Sequence, residues 1–194
     1  MSVVAGPAGP GRPAAPKTAR LFLALWPDPG VRRRLHHLHV GWRWPPGAAR
    51  VAANRLHLTL HFIGAVPRDR VAALAAALSR PVEPFTLALG QMSVWPGGVA
   101  VLEPRTASEV PRPLLQLREA LAEALREQAL PVETRAFRPH VTLARRAAGA
   151  LPPPGATTIE WAVNGYVLVE SVPGPGGGYQ VLQNFKQYME KNGY

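Results

Sequence analysis

Cysteine is absent from the 194-residue chain. That removes disulfide frameworks, thiolate zinc sites, iron–sulfur clusters and cysteine nucleophiles from consideration, and it fits a reducing compartment. Lysine is scarce as well, at three of 22 basic residues, and aromatic residues make up only 7%. No stretch approaches the roughly 20 apolar residues that span a bilayer, and the N-terminus lacks the basic start, apolar centre and cleavage site of a secretory signal. The expectation is a soluble cytoplasmic protein without a membrane partner. Acids are few, 12 against 22 bases, which leaves a formal charge of +10. An excess of that sign invites a polyanionic partner, although a general preference for arginine in the source would produce the same total.

What is present points to one folded unit. Hydrophobic residues reach 47%, enough for a core, and the length suits one domain or two small lobes that share one. Eighteen glycines and 22 prolines require many loops. The charge is unevenly distributed. Residues 1–64 carry nine basic and one acidic side chain, 65–130 carry seven of each, 131–150 carry four and one, and 151–194 carry two and three. The excess falls in two windows.

Residues 1–19 are mostly Gly, Pro and Ala without periodicity. They cannot offset the entropy of ordering and are expected to form a disordered tail. From Arg20, RLFLALW reads as a buried strand, and Asp28 as the N-cap of a helix through about Val40. Residues 55–63 alternate as a strand, and Pro67 to Ser79 reads as an amphipathic helix. Phe85–Leu89 and Val99–Leu102 are strand candidates, and 111–130 is the clearest helix, with Leu114, Leu117, Leu121 and Leu125 on one stripe. Further strands are expected at 140–144, 158–163, 166–170 and 179–185, separated by Pro/Gly-rich loops that include 173–178. The order predicts an α+β fold with mainly antiparallel sheets. Residues 186–194 read as a C-terminal extension.

One short echo stands out. Arg55-Leu56-His57-Leu58-Thr59-Leu60 and Arg138-Pro139-His140-Val141-Thr142-Leu143 both read R-x-H-[LV]-T-L. A His-x-Thr triplet arises by chance roughly 0.25 times in such a chain, and the aliphatic neighbours make two copies rarer still. On a strand, i and i+2 share a face. His57 and Thr59 therefore project together, as do His140 and Thr142, while Leu58, Leu60, Val141 and Leu143 point into a core. Two imidazoles suit displacement at phosphorus without a metal: one takes a proton from the attacking hydroxyl, and the other protonates the departing oxygen. The threonine hydroxyls can donate to non-bridging oxygens as charge develops. Arg55 and Arg138 share the histidines' parity and are candidate phosphate ligands.

These motifs resemble those of the 2H phosphoesterase superfamily, and within it the RNA 2′,3′-cyclic phosphodiesterases, also called 2′-5′ RNA ligases. RLFLALWP, NRLHLTLHFIG and FRPHVTLAR extend the resemblance from about Arg20 to Phe185. It implies a bilobal, pseudo-twofold α+β structure whose two mainly antiparallel sheets flank a central cleft, with helices outside, over residues 20–185. It also implies His57 as proton donor, His140 as proton acceptor, and no cofactor. The implied substrate is RNA ending in a 2′,3′-cyclic phosphate, opened to a 2′-phosphomonoester, with tRNA fragments as partners and reversible 2′-5′ ligation as a related activity. A monomer is expected. Other 2H activities on a cyclic nucleotide or an ADP-ribose derivative, or an RNA-binding module without turnover, remain the alternatives. Arg145 stands in a family-like position, but strict alternation points it away from His140. His61 shares the parity of His57, yet strand i/i+4 positions are too far apart to hold one metal ion. Arg32 to Arg34 with His36, His37 and His39 read as a solvated basic face, with a zinc or nucleic-acid patch as the alternative, and Trp42 and Trp44 as cover for a core edge, with a base-stacking platform as the alternative.

Overall fold

The structure is a computed structural model that describes residues 17–155, 157–174 and 177–186. Among these residues ten strands run β1 (Thr18–Leu25), β2 (Ala49–Arg50), β3 (Leu58–Pro67), β4 (Phe85–Leu89), β5 (Gln91–Trp95), β6 (Val99–Glu103), β7 (Val141–Arg145), β8 (Ile159–Val163), β9 (Gly165–Val172) and β10 (Gly178–Lys186). Three helices accompany them: α1 (Pro29–Val40), α2 (Val71–Ala77) and α3 (Arg112–Glu127). β1 begins at Thr18, two residues before the expected start of the domain at Arg20, and β10 takes in Lys186. The remainder of the two terminal segments, 1–16 and 187–194, lies outside the described residues.

The expected antiparallel α+β architecture is present, divided unequally. Eight strands form one sheet in the order β10-β9-β1-β3-β7-β6-β5, with β2 beside β7, and β4 pairs with β8 in a second sheet of two. Both motif strands lie in the large sheet, where β3 meets β7 through one residue pair, Leu58 with Val141. The sheet is thus two four-stranded halves hinged at the motifs.

Local chemistry explains the elements. β1 is a continuous apolar run because both of its faces are covered. Leu21, Leu23 and Leu25 enter the main core, while Phe22 and Ala24 join Val167 and Val169 in a smaller cluster on the opposite face. Each buried leucine contributes about 2 kcal/mol. α1 starts where Asp28 Oδ1 accepts the backbone N–H groups of Gly30 and Val31, at 2.6 and 2.9 Å, with Pro29 in the first turn. α3 buries Leu114, Leu117, Leu121 and Leu125, the stripe read from its periodicity. α2 is shorter than Pro67 to Ser79, because β3 continues to Pro67 and a 3-10 turn fills Arg68–Arg70. No helix among the described residues is long and apolar enough to cross a membrane.

Among the described residues four register shifts interrupt strict alternation, at Leu60 and Ile63 of β3, Leu143 of β7 and Leu182 of β10, and two of them fall in the motifs. In β3, Thr59 pairs with Ala24 and His61 with Leu23, so Leu60 is an extra residue opposite none. In β7, Thr142 pairs with Val101 and Ala144 with Ala100, so Leu143 is extra. Each motif therefore ends on a β-bulge at its last residue, and the bulge reverses the parity beyond it. Leu60 and His61 both turn inward, as do Leu143 and Ala144.

Candidate active site

Each catalytic candidate sits just before its strand. His57 follows a 3-10 turn, Ala53–Arg55, and His140 follows Arg138-Pro139. The Nδ1 of His57 lies 2.6 Å from the Arg55 carbonyl, and that of His140 lies 2.7 Å from the Arg138 carbonyl. A carbonyl can only accept, so Nδ1–H donates in both rings and the titrating lone pair resides on Nε2. Nε2 of His57 is 3.1 Å from Thr59 Oγ1. The geometry brings His57 and Thr59 together as expected, and Thr142 occupies the equivalent place after His140. No hydrogen bond joins His140 Nε2 to the protein among the described residues.

Burial, the largest influence, holds both imidazoles below their ordinary value of 6.5. At His57 the Arg55 carbonyl works against burial, and the charge of His140 adds to it. At His140 the Arg138 carbonyl and the Glu103 carboxylate oppose burial, whereas Arg138 and Arg145 reinforce it. The two rings sense each other's charge, so the pair accommodates a first proton more easily than a second.

Aromatic rings enclose both histidines. The His57 ring stacks on Trp26 at 5.7 Å and meets Phe22 and Tyr179 at 5.0 and 5.2 Å. His140 packs against Trp95 at 4.4 Å. Behind it, the buried Glu103 accepts Nε and Nη2 of Arg138 at 2.7 and 2.9 Å and Trp95 Nε1 at 3.2 Å. A cavity of about 300 Å³ opens between Thr59, Phe62, Trp95, Phe137, Arg138 and His140. A wider one, about 830 Å³, lies between α2 and β10 and contains none of the motif residues. The smaller cavity is the one that Thr59 and His140 line.

The arginines divide. Arg55 donates to the Gly177 carbonyl at 2.5 Å and lies over the Tyr179 ring, so it braces the β9–β10 loop. Arg138 is committed to Glu103 and to the face of Trp95, 4.4 Å from its centroid. Arg145 corrects the alternation argument: the Leu143 bulge returns it to the His140 face, and it is exposed there, close enough for its charge to bear on His140. The same correction applies to His61. The Leu60 bulge turns it into the core at 2% exposure, where Nε2–H donates to the Arg118 carbonyl at 2.8 Å, and Phe62 takes the cleft-facing place at 65% exposure. His39 is buried too, against the expectation of a solvated face, beside Trp44. Trp42 and Trp44 stack on each other at 5.0 Å with Trp42 buried, covering a core edge as read. Sequence reasoning missed Trp95 and Glu103. A lone carboxylate closing the apolar strand VAVLE was the available signal.

The paired strands present two imidazoles, each with a threonine hydroxyl two residues on, an arrangement that fits the two-histidine phosphoesterase class. The chain belongs to the 2′-5′ RNA ligase superfamily, whose model matches residues 27–171. It is 36% identical to the RNA 2′,3′-cyclic phosphodiesterase of Escherichia coli over 78% of this chain and 86% of that protein. The protein of the same name from Thermus thermophilus is 35% identical over 86% and 89%. The crystal structure of E. coli LigT complexed with 3′-AMP superposes with a TM-score of 0.75, covering 87% of this chain and 98% of that one at 32% identity.

Proposed function

We propose that this protein hydrolyses 2′,3′-cyclic phosphate ends of RNA to 2′-phosphomonoesters. The observation that carries the reading is the pair of imidazoles whose Nδ1–H groups are held by carbonyls of their own chain segments, which leaves both Nε2 atoms for proton transfer. His140 Nε2 accepts a proton from water, and the water oxygen attacks phosphorus. The P–O3′ bond breaks, and O3′ takes the proton carried by His57 Nε2. A 3′-hydroxyl and a 2′-phosphate result, and the two rings have exchanged protonation states. Thr59 and Thr142 donate to the non-bridging oxygens, where negative charge builds. Arg145, exposed on the same face, attracts the substrate anion. A 5′-hydroxyl in place of water would form a 2′-5′ linkage by the same transfers, with tRNA halves as the matching substrates. The protein works as a cytoplasmic monomer without a cofactor in this reading.

The test is to incubate the protein and excess EDTA with RNA ending in a 2′,3′-cyclic phosphate and to identify the product isomer. A 2′-phosphate is expected, and His57→Ala or His140→Ala should each reduce turnover by about 10²–10⁴-fold. Tight RNA binding with no product would make the chain a binding module instead.

A further inference from the structure

α1 carries Arg32, Arg33, Arg34, His36 and His37 and has no acidic residue. α3 has three arginines and three glutamates. A general preference for arginine would enrich both helices, so it does not account for compensation in one and its absence in the other. Among the described residues, Arg68, Arg80, Arg126, Arg135 and Arg138 each meet a carboxylate. None of the α1 arginines does. Arg34 donates to the Glu160 backbone carbonyl at 2.6 Å, which orients its guanidinium without neutralising it.

Arg33, Arg34 and His37 form one wall of a groove of about 520 Å³, with Pro153, Thr157 and Thr158 opposite. No carboxylate lines it. α1 begins three residues after Trp26, which stacks on His57. The Arg32 guanidinium lies over that same Trp26 ring at 5.8 Å. Twelve helical residues extend about 18 Å, the span of roughly five nucleotides at about 3.4 Å each.

We propose that this groove binds the phosphodiester backbone of RNA upstream of the reacting 3′ end. The inference rests on RNA being the substrate. Guanidiniums clamp phosphate oxygens bidentately and the threonine hydroxyls donate to the same oxygens, so the contact fixes the path of the strand and reads no base. The cleft then needs only the terminal nucleotide, while the groove sets affinity for longer RNA.

The experiment compares two substrates, a 12-nucleotide RNA ending in a 2′,3′-cyclic phosphate and 2′,3′-cyclic AMP, across a salt series. The double variant Arg33→Gln/Arg34→Gln should lose about tenfold in kcat/KM on the RNA at low salt and stay within about twofold on the mononucleotide. Its dependence on log salt should flatten by about 1.4, the equivalent of two phosphate contacts on a single strand. Arg33→Gln/His37→Gln keeps the Arg34–Glu160 bond and should show the same selectivity at about half the slope change. An unchanged RNA rate, or equal losses on both substrates, overturns the proposal. If the parent protein turns over neither substrate, the functional reading fails, and the groove is judged by fluorescence anisotropy of labelled 2′-phosphate-ended RNA. Equal affinities of parent and double variant would then refute it.

Discussion

Glu103→Gln tests how the second histidine is tuned. The carboxylate is 4% exposed and accepts three hydrogen bonds, two from Arg138 and one from Trp95. Glutamine preserves the shape but turns one acceptor into a donor facing other donors, and it removes the charge. A charge-assisted hydrogen bond contributes about 1.5–3 kcal/mol. The Arg138 side chain is 61% exposed, so water takes over much of its solvation and the net loss is about 2 kcal/mol. For a domain of this size that lowers Tm by roughly 4–8 °C. The electrostatic consequence is more specific. Glu103 raises the pKa of His140 and Arg138 lowers it. Without the carboxylate the guanidinium acts unopposed, and His140 titrates at still lower pH. The Arg138 carbonyl that orients the ring also loses its anchor, at a cost of roughly tenfold or more in kcat. NMR titration of the His140 Cε1 proton, urea unfolding and steady-state kinetics read the three effects separately. A His140 titration that stays in place or moves upward would refute the electrostatic reasoning, whatever happens to stability.

Thr59→Val and Thr142→Val should each lower kcat about 10–100-fold with little change in KM, since in the proposed mechanism their hydroxyls meet non-bridging oxygens whose charge grows in the transition state; equal losses in binding of a product analogue would contradict this. The kcat/KM profile should be bell-shaped with its maximum on the acid side of 6.5, because burial lowers both motif imidazoles, and an optimum above about pH 8 is the contrary result. Folding stability should rise with pH up to about 6.5. His39, His57, His61 and His140 all have depressed pKa values in the fold, so below 6.5 the unfolded chain binds more protons and acid favours unfolding. Flat unfolding free energies between pH 5 and 6.5 would count against that linkage. Leu143→Ala, which empties a fully buried bulge position, should cost about 2–5 kcal/mol in chemical denaturation.

Much of this was legible in the chain itself. α1 matches the segment read between Asp28 and Val40, α3 the leucine stripe, and β4, β6, β8, β9 and β10 their apolar runs within a residue or two. β5 went unread because Gln91–Trp95 is a half-exposed strand that only Gly90 separates from β4. Residue type and period also placed His57 with Thr59, whose Nε2 and Oγ1 lie 3.1 Å apart, since that relation depends on neighbours two positions apart.

The tertiary structure decided what depends on partners distant in sequence. The Leu60 and Leu143 bulges arise from the registers of β3 against β1 and β7 against β6, and no local pattern announces an extra residue. They send His61 to the core and bring Phe62 and Arg145 to the cleft. Likewise, Arg138 carries the right charge at the right parity, but only the fold supplies Glu103, 35 residues away, and so makes it a brace for His140. A sequence determines which chemistry a chain possesses and the period at which side chains alternate. Pairing between strands, which sums the packing of every residue along them, determines which of those side chains face the same space.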